Sequence, residues 1–180
     1  MAKAATTQGR TNQNTDLDVF SEVLRAEPTA VLAVLGEGHD RARIEGRSAE
    51  LRLTDNVRLL GFREDVERWI ATAEVCVIGS EREGLPRAAV QYALCARPMV
   101  VTDLPGIEAV LRDGRSGYLV PSDRLDLMAE PLMRLLADDD LRLDMARAAG
   151  QLDLSQWSSA HMVSELERLY VELLRRKGAL

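Results

Sequence analysis

Apolar residues along this chain fall into two alternating rhythms. From Asp16, DLDVFSEVLRAE sets Leu17, Phe20, Val23 and Leu24 at helical spacing and predicts a helix that ends before Pro28. The next run, AVLAVLGEG at 30–38, is continuously apolar and closed by glycines, as a strand covered on both faces would be. RARIEGRSAELRL then predicts a helix, weakened by Gly46. The alternation continues with strands in NVRLLGF, VCVIGS, PMVVTD and GYLV. Between them lie helices in EDVERWIATA and PRAAVQYALCA and a short one near GIEAVLRDG. Three further helices are predicted at 124–137, 140–149 and 158–176.

Strands alternating with helices at this spacing predict an α/β fold: a parallel sheet with helices on both faces and right-handed crossovers. No repeat or low-complexity linker divides the chain, so one Rossmann-like domain is expected over residues 16–180, including the helix at 158–176. Residues 1–15 read as a polar segment in which AATT is at most a weak first strand. In such sheets ligands bind beyond the carboxyl ends of the strands, near the topological switch point. The segments expected there are Gly36-Glu37-Gly38, Gly61-Phe62-Arg63, Gly79 to Pro86, Thr102 to Gly106 and Pro121-Ser122.

Composition narrows the partners. The 180 residues are 46% hydrophobic and 29% charged, enough for one domain with a full core. A net charge of -6 argues against a phosphate-backbone binder, and 4% aromatics argues against a stacking platform, so no nucleic-acid partner is expected. No apolar run is long enough to cross a bilayer, and the N-terminus lacks the apolar core of a signal peptide. Cys76 and Cys95 fall in an apolar run and a helix, which suits free thiols in a reducing compartment and predicts a cytoplasmic protein. His39 and His161 stand far apart with no ligand pattern around them, so no metal site is expected.

Several residues carry more than one reading. Gly36-x-Gly38 fits a strand-to-helix turn as well as a phosphate contact, because it lacks the full dinucleotide fingerprint. Gly84 permits close backbone approach to a ligand, and Pro86 is pre-set for a first helical turn. Glu83, beside that turn, can cap the helix or bind a ligand. Arg87 can face an anion or simply be solvated. Met162, Val163, Leu166, Leu169, Tyr170, Leu173 and Leu174 form a wide apolar stripe, suited either to this domain's own sheet or to another domain or subunit.

In order and spacing, several fragments resemble one family: VLAVLGEGHDRARIE, LTDNVRLLGFREDVERWIATAEVCVIGSEREGLP, ALCARPMVVTDLPG, VLRDGRSGYLVPSD and LDLSQWS. From about Gly9 onward the chain resembles the C-terminal, nucleotide-sugar-binding domain of group 1 retaining glycosyltransferases with the GT-B architecture. The resemblance implies the donor half of an enzyme that moves a hexose from a UDP- or GDP-linked sugar, without a further cofactor, to an acceptor held by another domain or subunit. The same surface could also serve a non-catalytic nucleotide-sugar-binding or protein-interaction module. It implies that Glu83 approaches the donor sugar hydroxyls as the catalytic-site carboxylate. Gly84, Leu85 and Arg87 would border the diphosphate, and Gly61, Phe62 and Arg63 the nucleobase, with Gly36 and Gly38 counted among the donor-binding residues.

Three departures from the family pattern stand out. The second glutamate of the pattern is Gln91 here, the residue placed to hold the ribose hydroxyls. A neutral hydrogen bond in place of a charge-assisted one weakens that contact by roughly 1 kcal/mol, about fivefold to tenfold in affinity. The cationic pair facing the diphosphate keeps Arg10, but Thr11-Asn12-Gln13-Asn14-Thr15 supplies no lysine. Charge on a leaving diphosphate grows in the transition state, so this change bears on turnover more than on binding. The third departure is length: nothing in the chain corresponds to an acceptor-holding domain, which makes it a fragment, a split-enzyme subunit or a degenerate domain.

Overall fold

A computed structural model describes residues 4–8, 13–37, 41–84 and 86–177. Six strands, β1 (Ala4–Gln8), β2 (Val31–Leu35), β3 (Val57–Gly61), β4 (Val75–Ile78), β5 (Met99–Thr102) and β6 (Gly117–Val120), form one sheet in the order β3-β2-β1-β4-β5-β6. Every neighbouring pair is parallel. The helices are α1 (Gln13–Ala26), α2 (Arg41–Glu50), α3 (Val66–Thr72), α4 (Arg87–Leu94), α5 (Ala129–Ala137), α6 (Asp139–Gly150) and α7 (Ser159–Arg176). This is the doubly wound α/β arrangement expected from the alternation.

The continuous apolar runs have a simple cause. Every residue of β4 and β5 is buried, and the pleat sends alternate side chains to opposite faces. Val75, Val77 and Val100 join Leu17, Phe20 and Val23 of α1 and Leu132 and Leu135 of α5 in one core. Cys76, Ile78, Met99 and Val101 join Ile70 of α3, Tyr92 and Ala93 of α4, and Ile107 and Leu111 in the other. Because each face is covered by helices, both sets of alternate positions are apolar, with Thr102 at the end of β5 as the exception.

Several elements differ from the sequence expectation. AATT reads as a weak strand, yet Ala4–Gln8 sits mid-sheet, paired with β2 from Ala4↔Val31 and with β4 from Ala5↔Val75. Its two neighbours impose the strand, since β preference is set by the surroundings more than by the residue. α1 begins at Gln13 rather than Asp16, because its polar first turn carries no periodic signal. Near GIEAVLRDG there is only a 3-10 turn, Ile107–Ala109, entered through Gly106 at φ +81°. A second 3-10 turn, Leu125–Met128, leads into α5 where one continuous helix is expected.

β1 connects onward to β2 on one side of the sheet and adjoins β4 on the other, so the order of strands reverses between them. The crevice beyond their carboxyl ends is the switch point where an open α/β sheet binds its ligand. α7 stands apart from this core. None of its residues is buried, and its apolar stripe is exposed from Met162 to Leu174. Its start is fixed by Ser158, whose Oγ accepts a hydrogen bond from the His161 N–H at 3.1 Å.

Candidate functional site at the carboxyl edge of the sheet

β4 leaves the ladder after Ile78, whose partner is Val101, and the chain then turns through Gly79, Ser80 and a bend at 81–84 before α4. Ser80 and Thr102 are the buried polar residues here, at 1% and 0% exposure. Thr102 Oγ1 lies 2.6 Å from Ser80 O and 3.4 Å from Ile78 O. A hydroxyl has one proton, and the shorter distance gives it to Ser80 O. Ser80 Oγ in turn donates to Glu83 Oε1 at 2.8 Å. The carboxylate, half-buried, is therefore anchored to the end of β4.

Glu83 does not cap the helix. The N-cap position of α4 is Pro86, in extended conformation, and it makes no side-chain cap hydrogen bond. The first-turn N–H groups remain a place where anionic oxygen is favoured. Arg87 and Gln91, four residues apart on α4, share one exposed helix face beside that end.

On the other side of the switch point, the Gly36 N–H donates to Gly61 O at 2.9 Å and ties the ends of β2 and β3 together. Both glycines have left-handed backbone, at φ +111° and +66°, which explains their residue type. Phe62 follows at 68% exposure, a bare aromatic face at the rim. Arg63 is more occupied than its sequence position suggests. Its Nε donates to Asp65 Oδ1 at 3.1 Å, and its guanidinium lies 5.3 Å from the Trp69 ring centroid. The hydrogen bond from Arg63 holds the Asp65 carboxyl below its usual range. Arg63 thus braces the entrance to α3. Arg10, Gly38 and Leu85 lie outside the described residues.

The structure gathers Glu83, Gly84, Arg87 and Gln91 around the start of α4, and Gly36, Gly61 and Phe62 at the ends of β2 and β3. Sequence reasoning passed over Ser80 and Thr102 as functional residues. Their signal was faint: each is a hydroxyl residue closing an apolar strand run. Among the described residues no group of three His, Cys, Asp or Glu side chains is placed to hold a metal ion, and no helix is long and apolar enough to cross a membrane. Cys76 is buried and Cys95 half-buried, both as free thiols.

Comparison with known proteins accounts for this arrangement. The model of the group 1 glycosyl transferases matches residues 5–138. N-acetyl-alpha-D-glucosaminyl L-malate synthase of Bacillus anthracis is 26% identical over 159 residues, covering 88% of this chain and 42% of that protein. Phosphatidyl-myo-inositol mannosyltransferase of Mycobacterium tuberculosis is 30% identical over 170 residues, covering 91% and 44%. The chain thus spans less than half the length of these curated relatives. A TarM variant of S. aureus, solved with fondaparinux, alpha-GlcNAc-glycerol and UDP, superposes with a TM-score of 0.86 at 20% identity over 94% of this chain and 35% of that one. The C-terminal domain of the LpcC glycosyl transferase of Francisella tularensis matches along most of both chains, 88% and 87%, with a TM-score of 0.76 at 18% identity. The fold is that of one Rossmann-like half of a GT-B enzyme, and the chain belongs to the group 1 glycosyltransferases.

Proposed function

We propose that this chain is the donor-binding half of a retaining glycosyltransferase, which moves a hexosyl group from a UDP- or GDP-linked sugar to an acceptor held by another domain or subunit. The observation that carries this reading is the Glu83 carboxylate, anchored by Ser80 between the end of β4 and the start of α4. A carboxylate there can accept hydrogen bonds from sugar hydroxyls. The α4 N–H groups and Arg87 would border the diphosphate, and Arg10, which the family resemblance assigns to the same role, would join them in stabilising the charge that grows as the sugar–phosphate bond breaks. Gln91 would bond to the ribose, and Gly61 and Phe62 would border the base. No cofactor beyond the nucleotide sugar is required, and the free thiols support a cytoplasmic location.

The test is calorimetric titration with UDP, GDP and UDP-glucose beside the Glu83→Ala variant. The reading expects binding by the wild type, with the variant losing affinity for the sugar nucleotide and keeping it for the bare diphosphate. No heat with any nucleotide would sink it.

The exposed stripe of α7 keeps a second reading in view: a non-catalytic nucleotide-sugar-binding or protein-interaction module. An acceptor-domain protein that restores product formation when mixed with this chain decides for the enzyme. Nucleotide binding without turnover under any pairing decides for the module.

A further inference from the structure

We infer that Ser80 and Thr102 are positioning residues that aim the Glu83 carboxylate at the glycosyl end of the donor, an inference that rests on the donor-site reading above. β4 pairs with β5 only as far as Ile78↔Val101, so the Ser80 carbonyl lies beyond the ladder although the residue is buried. Thr102 donates to it from its side chain, at 2.6 Å. Its own strand is held from the far side, where Thr102 pairs with Val120 and the Asp103 N–H donates to Val120 O at 2.7 Å. The anchor for Ser80 is therefore the interior of the sheet. Ser80 then passes that rigidity to the bend at 81–84, because its hydroxyl donates to Glu83 Oε1 at 2.8 Å.

Two hydroxyl groups, 22 residues apart in sequence, thus fix both ends of the segment that presents the carboxylate. Residues 81–84 form bends rather than helix or strand. Without Ser80 Oγ the Glu83 side chain would regain its rotamers and would have to be re-ordered by the sugar, which lowers affinity. The diphosphate has different partners, the α4 N–H groups and Arg87, and these do not run through either hydroxyl. The consequence is a split that a role in folding alone would not produce: the glycosyl part of the affinity depends on Ser80 and Thr102, and the nucleotide part does not.

The test compares S80A, T102V and T102S with wild type by calorimetry, pairing UDP-glucose and UDP-N-acetylglucosamine with UDP, and GDP-mannose with GDP. S80A and T102V are expected to lose about five- to twentyfold in affinity for the best sugar nucleotide, while the bare diphosphate changes less than about twofold. T102S, which keeps the hydroxyl, is expected to behave as wild type. In an E83A background S80A should cost less than it does in wild type, because its effect on the sugar runs through that carboxylate. Equal weakening of sugar nucleotide and bare diphosphate, or no weakening, would overturn the positioning role while leaving the donor site intact. Wild type that binds the bare diphosphates but gains nothing from any sugar would also overturn it. Wild type that binds no nucleotide at all would overturn the donor-site reading and this inference with it.

Discussion

Gly117 and Gly114 lie three residues apart in one turn, yet alanine should affect them very differently. At Gly117, the first residue of β6, a Cβ would stand 2.2 Å from Met99 O, 3.0 Å from Met99 N and 3.1 Å from Leu111 Cδ1. The first two are backbone atoms of β5 and cannot rotate aside. Gly114, at φ +69°, has nothing within 4 Å of its would-be Cβ, so alanine there suffers only the left-handed backbone. That strain costs about 1–2 kcal/mol. At Gly117 the strands must part instead, weakening the ladder that runs from Met99↔Gly117 to Thr102↔Val120. Overpacking of about 1–3 kcal/mol, with two hydrogen bonds at about 1 kcal/mol each, gives roughly 3–5 kcal/mol. For a chain of this size each kcal/mol lowers the melting temperature by about 2–4 °C. Circular-dichroism melts of G114A and G117A should therefore fall by about 2–8 °C and about 6–20 °C. Urea midpoints at 25 °C should follow the same order with unchanged slopes. Equal losses in the two variants would refute the close approach of β6 to β5.

Other consequences can be checked singly. Gln91→Glu should raise affinity for UDP or GDP about fivefold to tenfold, the reverse of the loss assigned to the amide, as read by titration calorimetry. Burial pushes the Cys76 thiol well above its ordinary value of 9.0, so its contribution to stability is full below pH 9 and is lost as pH rises beyond it. Urea unfolding at pH 8 and pH 10 should show a decline, of up to about 1.4 kcal/mol per pH unit from this thiol, that C76A reduces, the remainder coming from Cys95, which burial also raises; identical slopes would contradict the burial. Leu166 and Leu169 are 44% and 48% exposed on α7, so changing both to glutamate should shift the melting temperature by no more than about 2 °C. A drop above about 5 °C would mean that α7 packs onto this domain.

What the sequence revealed follows from how each feature is enforced. β4 and β5 were legible because a strand covered on both faces is apolar almost throughout, as VCVI and the first three residues of MVVT are. β1 was not, since AATTQ becomes a central strand only through its pairing with β2 and β4. The turn from β4 into α4 was legible for a different reason: Pro86 is pre-set for the entry to a helix, and Glu83 lies just before that mark. The hydroxyl chain from Thr102 through Ser80 to Glu83 leaves no such trace, because parallel register and not sequence distance brings residue 102 to residue 80. Arg63 shows a limit of another kind: the resemblance places it beside the nucleobase, and no sequence pattern announces that Asp65 and Trp69, two and six residues on, also engage it. On the proposed donor-site reading, the positive charge opposite a diphosphate would come from Arg87, Arg10 and the start of α4. In such a site Gln91, which withholds a negative charge from the same helix face, costs a ribose hydrogen bond but also leaves the anion-binding end of α4 less opposed. The balance between those two effects is what Gln91→Glu measures: a weakened rather than strengthened diphosphate complex would mean that repulsion outweighs the ribose contact in this chain.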